Sequence, residues 1–514
     1  MLALALALVA GGAQALSIAV PWNGQPLWWL QLLSLATLAW LVREAASWRR
    51  AALFGWVFAT AWLAGTFWWL FISMHVYGGL PSPLAAVAVF ALAALLALYY
   101  AAACAVARRL VGAQPLMGAL VFAAAWLLAE LLRVTWFTGF PWGAGGYAHV
   151  DGPLSFLASR TGVHGIGFAA ALLAFGLSLA PRQTSRRSWR YWVTLAGTAG
   201  LLAACNMAAP PPEASPAQPR MSVSLLQGNI PQDEKFQGGT GIPVALDWYG
   251  RQLQQNAASL VVAPETAIPL LPGQLPAGYF EALAARFSHG QQAALIGIPL
   301  GGLQEGYTNS VIGLKPGAAV YRFDKHHLVP FGEFIPPLFR WFTDMMNIPL
   351  GDFNRGALPQ PAFEWQGQRL APNICYEDLF GEELGVQFAD AQAAPTILVN
   401  VSNIAWFGNT VAIDQHLHIS RMRALEFERP MLRATNTGAT VIIDHHGRVT
   451  HSLPRHTRGV LVGEVEGRSA ITPYAWWVSR LRLWPLWLLG LGILALAAWR
   501  GRGFTPSSSG RRLG

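Results

Sequence analysis

Ala371-Pro372-Asn373-Ile374-Cys375-Tyr376-Glu377-Asp378 sets one thiol between an apolar run and a cluster of acids. Arg369 to Ile374 reads as a short strand, and Glu377-Asp378-Leu379-Phe380-Gly381-Glu382 reads as a turn into a helix. Cys375 then falls at the carboxyl edge of a strand, where helix amides can lower a thiol's pKa or hold a developing oxyanion. That makes it the candidate nucleophile. A buried structural cysteine is the competing reading, since this residue type is among the most buried.

The strand belongs to a region, from residue 221 onward, in which short apolar strands alternate with helical stretches. Strands are predicted at 222–227, 260–264, 294–298, 309–314, 320–324, 370–374, 396–401, 439–443 and 460–465, and helices at 244–258, 277–289 and 411–429. This alternation predicts an α/β layered domain. No Gly-x-Gly-x-x-Gly or Walker sequence marks a strand-to-helix step, so nucleotide binding has no support.

Two further residues share the position of Cys375. Glu265 follows Leu260-Val261-Val262-Ala263-Pro264, and Lys325 follows Val320-Tyr321-Arg322-Phe323-Asp324. A lone acid or amine at a strand end is ordinarily a solvated rim residue. An acid, an amine and a thiol at three strand ends of one domain point instead to acyl transfer. Glu265, with a raised pKa, would take the thiol proton, Cys375 would attack, and Lys325 would stabilise the tetrahedral oxyanion. The histidines do not suggest a metal: His416 and His418 are two apart on a predicted helix, and His326 and His327 are adjacent. Neither spacing suits metal ligands, and no cofactor is expected.

The rest of the chain is of another kind. Its 514 residues are 54% hydrophobic and only 12% charged, with 23 Trp and a mean hydropathy of +0.36, too apolar for an ordinary soluble chain. A spanning helix needs about 20 apolar residues. Candidate spans lie near 2–19, 25–42, 51–72, 84–107, 115–132, 162–180, 191–208 and 483–499, eight in all. The first ends in Ala13-Gln14-Ala15, which imitates a signal-peptidase site but lacks a basic leader, and it is read as a retained helix.

Arginines set the orientation. Arg43, Arg49, Arg50, Arg108, Arg109, Arg182, Arg186, Arg187, Arg190, Arg500, Arg502, Arg511 and Arg512 all fall on one side of an eight-helix path. The connections 20–24, 73–83 and 134–161 hold almost none beyond Arg133 and Arg160. The arginine side is expected to be cytoplasmic and residues 210–475 to lie outside. The net charge of +9 then reports topology and contact with anionic lipid, and no nucleic-acid partner is expected. Three cysteines make no disulfide framework; Cys104 and Cys205 fall in or beside spanning helices. Within 134–161, Thr138-Gly139-Phe140-Pro141-Trp142-Gly143 reads either as a re-entrant loop or as a substrate-facing one, and Pro210-Pro211-Pro212 begins a stiff exit into the outer domain.

The Glu, Lys and Cys edges resemble the triad of the nitrilase, or carbon-nitrogen hydrolase, superfamily. Pro264-Glu265-Thr266-Ala267-Ile268-Pro269, Lys325-His326-His327-Leu328-Val329-Pro330-Phe331-Gly332-Glu333-Phe334 and Cys375-Tyr376-Glu377 more narrowly resemble the apolipoprotein N-acyltransferase family. Ala405-Trp406-Phe407-Gly408, Arg421-Met422-Arg423-Ala424-Leu425-Glu426 and Trp484-Pro485-Leu486-Trp487 are similar as well. The resemblance spans nearly the whole chain. It implies a membrane domain of seven helices over 1–208, an α-β-β-α sandwich over 209–475, and an eighth helix with a basic cytoplasmic tail over 476–514. It also implies a bacterial inner-membrane enzyme with its catalytic domain in the periplasm. Such an enzyme moves an acyl chain from a phospholipid, typically phosphatidylethanolamine, to the α-amine of a diacylglyceryl-cysteine lipoprotein through a thioester on Cys375.

Carried over residue by residue, the resemblance adds Glu333, which would assist proton transfer or orient Lys325. Tyr376, Glu377, Phe236 and Trp406 become supporting or substrate-binding positions, with Glu377 placing the acyl carbonyl or the incoming amine. Phe236 stands where the family often has Trp, and Ile404 where it often has Asp. A membrane-tethered hydrolase with the same triad is the alternative; a transporter is disfavoured because Glu130 is the one acid expected within a span. Residues 334–350 are far too apolar for a free loop yet too rich in proline for a span, and read either as an interfacial lid over Cys375 or as a segment packed into the core. Under the lid reading, polar substitutions at Phe339 and Trp341 lower turnover of lipid substrate in vesicles; unchanged turnover would remove the lid.

Overall fold

The computed structural model describes residues 1–112, 114–179, 219–302, 304–335 and 353–502. The predicted helix at 191–208, nearly all of the proline-rich exit, Cys205, most of the 334–350 segment and the tail beyond 502 lie outside these residues.

Twelve strands build two six-stranded sheets. In chain order they are β1 (Arg220–Gln227), β2 (Leu260–Val262), β3 (Ala293–Gly302), β4 (Gly306–Leu314), β5 (Tyr321–Asp324), β6 (Phe363–Trp365), β7 (Gln368–Ile374), β8 (Ile397–Ser402), β9 (Met431–Thr435), β10 (Val441–Ile443), β11 (Val449–Ser452) and β12 (Gly459–Glu466). One sheet runs β12-β1-β2-β3-β4-β5 and the other β11-β10-β9-β8-β7-β6. β1, β2 and β3 are mutually parallel, as are β7, β8 and β9. All nine predicted strands are found.

The period of two decides the layers. Leu260 and Val262 of β2 and Ile397, Val399 and Val401 of β8 fill the core between the sheets. Val261 turns outward against helices Gly241–Gln255 and Tyr279–Ser288, through Leu253, Leu283 and Phe287. On the other sheet Ala371, Leu398, Met431 and Ile443 also turn outward, into a cluster that includes Ile413, Met422 and Phe427 of helix Ala412–Phe427. That cluster does not stop there: it runs on into Trp62, Trp126 and Phe175 of the helical region. One apolar core therefore joins the outer helical layer of the sandwich to the bundle.

The described helices of the bundle are Leu2–Ile18, Trp28–Glu44, Trp48–Thr66, Ser82–Leu110, Pro115–Thr135, Ala158–Leu177 and, after the sheets, Trp484–Arg502. They coincide with seven of the eight expected spans. Among the described residues four helical segments, Ser82–Leu110, Pro115–Thr138, Ser155–Leu177 and Trp484–Gly501, are long and apolar enough to cross a membrane. A fifth exists if Trp48–Thr66 and Leu70–Tyr77, bent by 62°, count as one. Leu2–Ile18 and Trp28–Glu44 have 17 residues each, about 25 Å of helix, short of the roughly 30 Å hydrocarbon core. Val87, Phe90, Leu95 and Leu98 are each more than half exposed, an outward apolar face that suits lipid.

Sidedness is visible in the contacts. The Arg108 Nε donates to Ala45 O at 2.7 Å and the Arg43 guanidinium to Ser178 O at 2.8 Å, so arginine-bearing helix ends gather together. The three arginine-poor connections instead meet the sandwich. His418 bonds Gly24 O at 2.7 Å, Trp406 packs edge-on against Tyr77 at 5.7 Å, and Tyr376 OH donates to Gly139 O at 3.1 Å. Arg133 braces the 134–161 connection from within, donating to Phe140 O at 2.9 Å and Trp142 O at 2.7 Å. Glu130, in the same helix, accepts from Gly145 N at 3.0 Å and lies 3.6 Å from His164.

Gln415 makes three polar links between the two regions. Its Oε1 accepts from the indoles of Trp69 (3.0 Å) and Trp142 (2.8 Å), and its Nε2 donates to Thr66 O at 2.9 Å, all buried. Gln415→Leu orphans three groups at about 1–3 kcal/mol each. A clear fall in Tm in detergent is expected, and an unchanged Tm would mean that the apolar core alone holds the regions together.

Candidate active site

β2, β5 and β7 end on the same side of the sandwich, and each delivers one of the three predicted residues. Pro264-Glu265-Thr266 turns away from β2 with Thr266 at φ 47°. The turn lies directly on β3, where a Cβ at Gly297 would sit 2.2 Å from Pro264 O and 2.8 Å from the Glu265 Cα. Only glycine fits there.

Glu265 and Lys325 form a buried ion pair at 3.4 Å, with Lys325 Nζ also 2.9 Å from Glu333 Oε1. Asn309, from β4, uses both amide hydrogens to join the carboxylates, reaching Glu265 Oε1 at 2.7 Å and Glu333 Oε1 at 2.8 Å. Asn403 N donates to Glu265 Oε2 at 2.8 Å and Val329 N to Glu333 Oε2 at 2.8 Å. Glu333 is thus bound directly to Lys325. Burial alone would raise Glu265, but the Lys325 and Lys235 charges and the Asn309 and Asn403 donors outweigh it and hold its pKa below the usual carboxylate value. The expected raised pKa is not what the site provides, because two cations flank the acid. Lys325 moves the other way: burial lowers it, yet Glu333 and Glu265 hold it well above an ordinary lysine.

Cys375 ends β7 at φ 52° and opens a short 3₁₀ turn, Cys375–Leu379. A left-handed non-glycine residue costs about 1–3 kcal/mol and persists only where its surroundings impose it. Here the Cys375 carbonyl is held from Asn400 Nδ2 and His416 Nε2, both at 3.2 Å. Behind them lies a buried network in which His416 Nε2 also bonds Asp378 at 2.9 Å and His416 Nδ1 accepts from Arg433 at 2.8 Å. His416 therefore holds the backbone of the candidate nucleophile. Burial and then the Glu265 charge push the thiol up to about 12, with Lys325 and a hydrogen bond from Ser402 pulling against them. The expectation of a thiol lowered by helix amides fails on that account: desolvation and an adjacent carboxylate dominate a one-turn 3₁₀ segment.

The supporting positions divide by what they touch. Glu377 accepts from Ile374 N (2.6 Å), His326 N (2.7 Å) and His327 N (3.2 Å), stapling the end of β7 to the segment after Lys325; burial pushes it to about 7 against those donors. Its carboxylate is engaged with main chain. Tyr376 stacks on Phe140 at 6.4 Å besides bonding Gly139 O, so it faces the bundle. Phe236 is 45% exposed, with the Lys235 ammonium 5.9 Å from its ring, and Trp406 meets Tyr77. Ile404 is buried with its Cγ2 against Gly438, a place where an aspartate would need a new partner.

Sequence reasoning missed Asn309, Asn403 and Lys235. Asn309 had a visible signal, since Thr308-Asn309-Ser310 puts three polar side chains inside a strand. Lys235 is adjacent to Phe236, and only the aromatic residue drew notice.

A family model described as apolipoprotein N-acyltransferase N-terminal domain matches residues 10–176, and one described as carbon-nitrogen hydrolase matches 222–473. An apolipoprotein N-acyltransferase of Verminephrobacter eiseniae is 63% identical, with 92% of each chain covered. The chain belongs to the apolipoprotein N-acyltransferase family. Another member, from Ralstonia nicotianae, is 48% identical over 92% of this chain and 88% of its own. Among solved structures, a mutant of the nitrilase-superfamily amidase of Nesterenkonia AN1 aligns at 17% identity over 51% of this chain and 95% of its own, with a TM-score of 0.36. The two-sheet part is thus a carbon-nitrogen hydrolase domain joined to the family's N-terminal helical domain in a membrane protein.

The electrostatics make a paired prediction. Glu265→Gln removes the proposed base, and also the charge that raises the thiol. Acyl transfer is expected to fall by about 10²- to 10⁴-fold. At about pH 8 Cys375 should nevertheless react faster with iodoacetamide, and a slower reaction there would refute the assigned cause of its raised pKa.

Proposed function

We propose that the protein acylates the N-terminal amine of a diacylglyceryl-cysteine lipoprotein, taking the acyl chain from a phospholipid through a thioester on Cys375. The observation that carries this reading is the buried Glu265–Lys325–Glu333 network acting on the Cys375 thiol, in a domain whose core is continuous with apolar helices.

In the first half-reaction Glu265 takes the thiol proton as Cys375 Sγ bonds to the ester carbonyl carbon. The oxyanion that forms is stabilised by Lys325, whose ammonium Glu333 fixes in place. Collapse breaks the carbon–oxygen bond to glycerol, the proton on Glu265 passes to the leaving alkoxide, and a lysophospholipid departs. In the second half the acceptor amine attacks the thioester carbonyl and gives its proton to Glu265. Cys375 leaves as thiolate and is reprotonated, so an amide replaces the thioester and the site returns to its starting state. No metal or cofactor enters either half.

The donor is proposed to be phosphatidylethanolamine and the location the bacterial inner membrane, with the sheets in the periplasm. Support for the placement comes from the gathering of arginine-bearing helix ends away from the sandwich, combined with the tendency of such ends to be cytoplasmic. Tyr376 and Trp406 join the site to the 134–161 and 73–83 connections, the route by which lipid would arrive. The domain limits 1–208, 209–475 and 476–514 and the eight spans are part of the same proposal. A tethered hydrolase is less well supported, since the family's named members are acyltransferases.

Mass spectrometry of the full chain after exposure to phospholipid vesicles should find one fatty acyl mass on Cys375, none in Cys375→Ala, and about 10²- to 10³-fold slower loading in Lys325→Ala. The loaded enzyme should discharge to a diacylglyceryl peptide amine. Prompt release of free fatty acid without that amine would favour the hydrolase.

A further inference from the structure

Among the described residues three cations act on Cys375: Lys325, Lys235 and Arg433, the last paired with Asp378 at 3.4 Å. Lys235, between β1 and helix Gly241–Gln255, is only 2% exposed. Its Nζ donates to the main-chain oxygen of Glu265 at 3.1 Å. Lys325 is gripped by two carboxylates, whereas among the described residues no carboxylate lies within ion-pair distance of Lys235. The charged groups that act on it are Glu265 and Cys375. Asp233 of its own segment is exposed and Glu234 partly so, while Lys325 and Glu333 lie beyond Glu265.

Burying an ammonium with one neutral acceptor is costly unless its charge is used. Counting charges shows the use. At rest the site holds the Asp378–Arg433 pair, whose charges cancel, Glu265 and Glu333 as carboxylates, Lys325 and Lys235 as ammonium groups, and a neutral thiol, for a net charge of zero among these groups. When the thiol proton moves to Glu265, its negative charge reappears on the substrate oxygen and the sum is still zero. With Lys325 alone, both states would carry an unbalanced negative charge in a region of low dielectric, and Glu265 would lose one of the two cations that keep it ionised.

We propose that Lys235 is a positioning residue of the reaction: its buried ammonium keeps Glu265 a carboxylate at rest and balances the site while negative charge passes from Glu265 to the substrate oxyanion. This rests on the acyl-transfer reading above. Phe236, the next residue, is 45% exposed with its ring 5.9 Å from the ammonium. Burial lowers Lys235 to about 8, against the opposing pull of Glu265 and Cys375, so the balance is lost as pH rises through that value.

The test is single-turnover loading of Cys375 by the full chain in phosphatidylethanolamine-containing vesicles, from about pH 6 to about pH 10. For the unaltered protein the loading rate should fall with a midpoint near pH 8. Lys235→Arg, which stays charged throughout, should load at a comparable rate near neutrality and lack that alkaline fall. Lys235→Met should be slower by about 10²-fold or more. Loading by Lys235→Met within threefold of the unaltered rate overturns the proposal, and so does an alkaline fall that Lys235→Arg leaves in place. If Lys235→Met does not fold, as judged by Tm, the Lys235→Arg profile decides alone. Failure of the unaltered chain to acquire an acyl group on Cys375 would sink the acyl-transfer reading itself, before any Lys235 variant is compared.

Discussion

A carboxylate, an ammonium group and a thiol cannot share a desolvated pocket unless every charge in it is answered, and much of the local structure follows from that requirement. Glu265 is 7% exposed and Lys325 1%. Their 3.4 Å separation is a loose ion pair, and what secures it is the frame: Asn309 spans both carboxylates, and main-chain N–H groups of Asn403 and Val329 close the remaining oxygens. Each donor comes from a different segment of the two sheets. The strand ends are therefore held in mutual register by the same bonds that set the protonation states, so a shift in one strand would change the chemistry as well as the packing.

The second constraint is the outer face of the β6–β11 sheet. Half of its side chains point away from the inter-sheet core and must be buried, and here the cover is shared between helix Ala412–Phe427 and the helical bundle. That helix carries Gln415 toward Trp69 and Trp142 and, one residue on, His416 toward the carbonyl of Cys375. Through adjacent residues a single helix thus touches both the bundle and the backbone of the proposed nucleophile. Tyr376 makes the same kind of link from the other direction, reaching Gly139 from the position next to Cys375. A domain built this way is placed at the bundle's end by side-chain packing.

Periodicity made much of this readable from the residues. β2, β7 and β8 are apolar on both faces, as parallel strands buried on two sides must be, and their ends located Glu265 and Cys375. Three strands escaped notice for three separate reasons. β6 is only Phe363-Glu364-Trp365 at a sheet edge; β9 carries Arg433, whose charge is satisfied by Asp378 and His416; β11 is exposed along its whole length and has no apolar face to announce it. The protonation states were not legible, because they depend on what the fold brings near. Nothing in Pro264-Glu265-Thr266 reveals that Lys235, Lys325, Asn309 and Asn403 will converge on that acid, and nothing around Cys375 reveals that Glu265 will press its thiol upward.

Those two shifts fit together in a way that bears on how a free cysteine is kept from side reactions. Oxidation and stray alkylation act on the thiolate, so a thiol pushed to about 12 is nearly inert at neutral pH. A base held below the ordinary carboxylate range stays ionised and ready, yet is too weak to deprotonate that thiol unaided. In the proposed reaction, proton transfer becomes favourable only when an ester carbonyl is present to accept the sulfur and to pass the negative charge on to the ammonium side of the site. Under the proposed mechanism the raised thiol and the lowered acid are two halves of one safeguard: the nucleophile is generated in the presence of its substrate and is otherwise stored as the neutral, unreactive form.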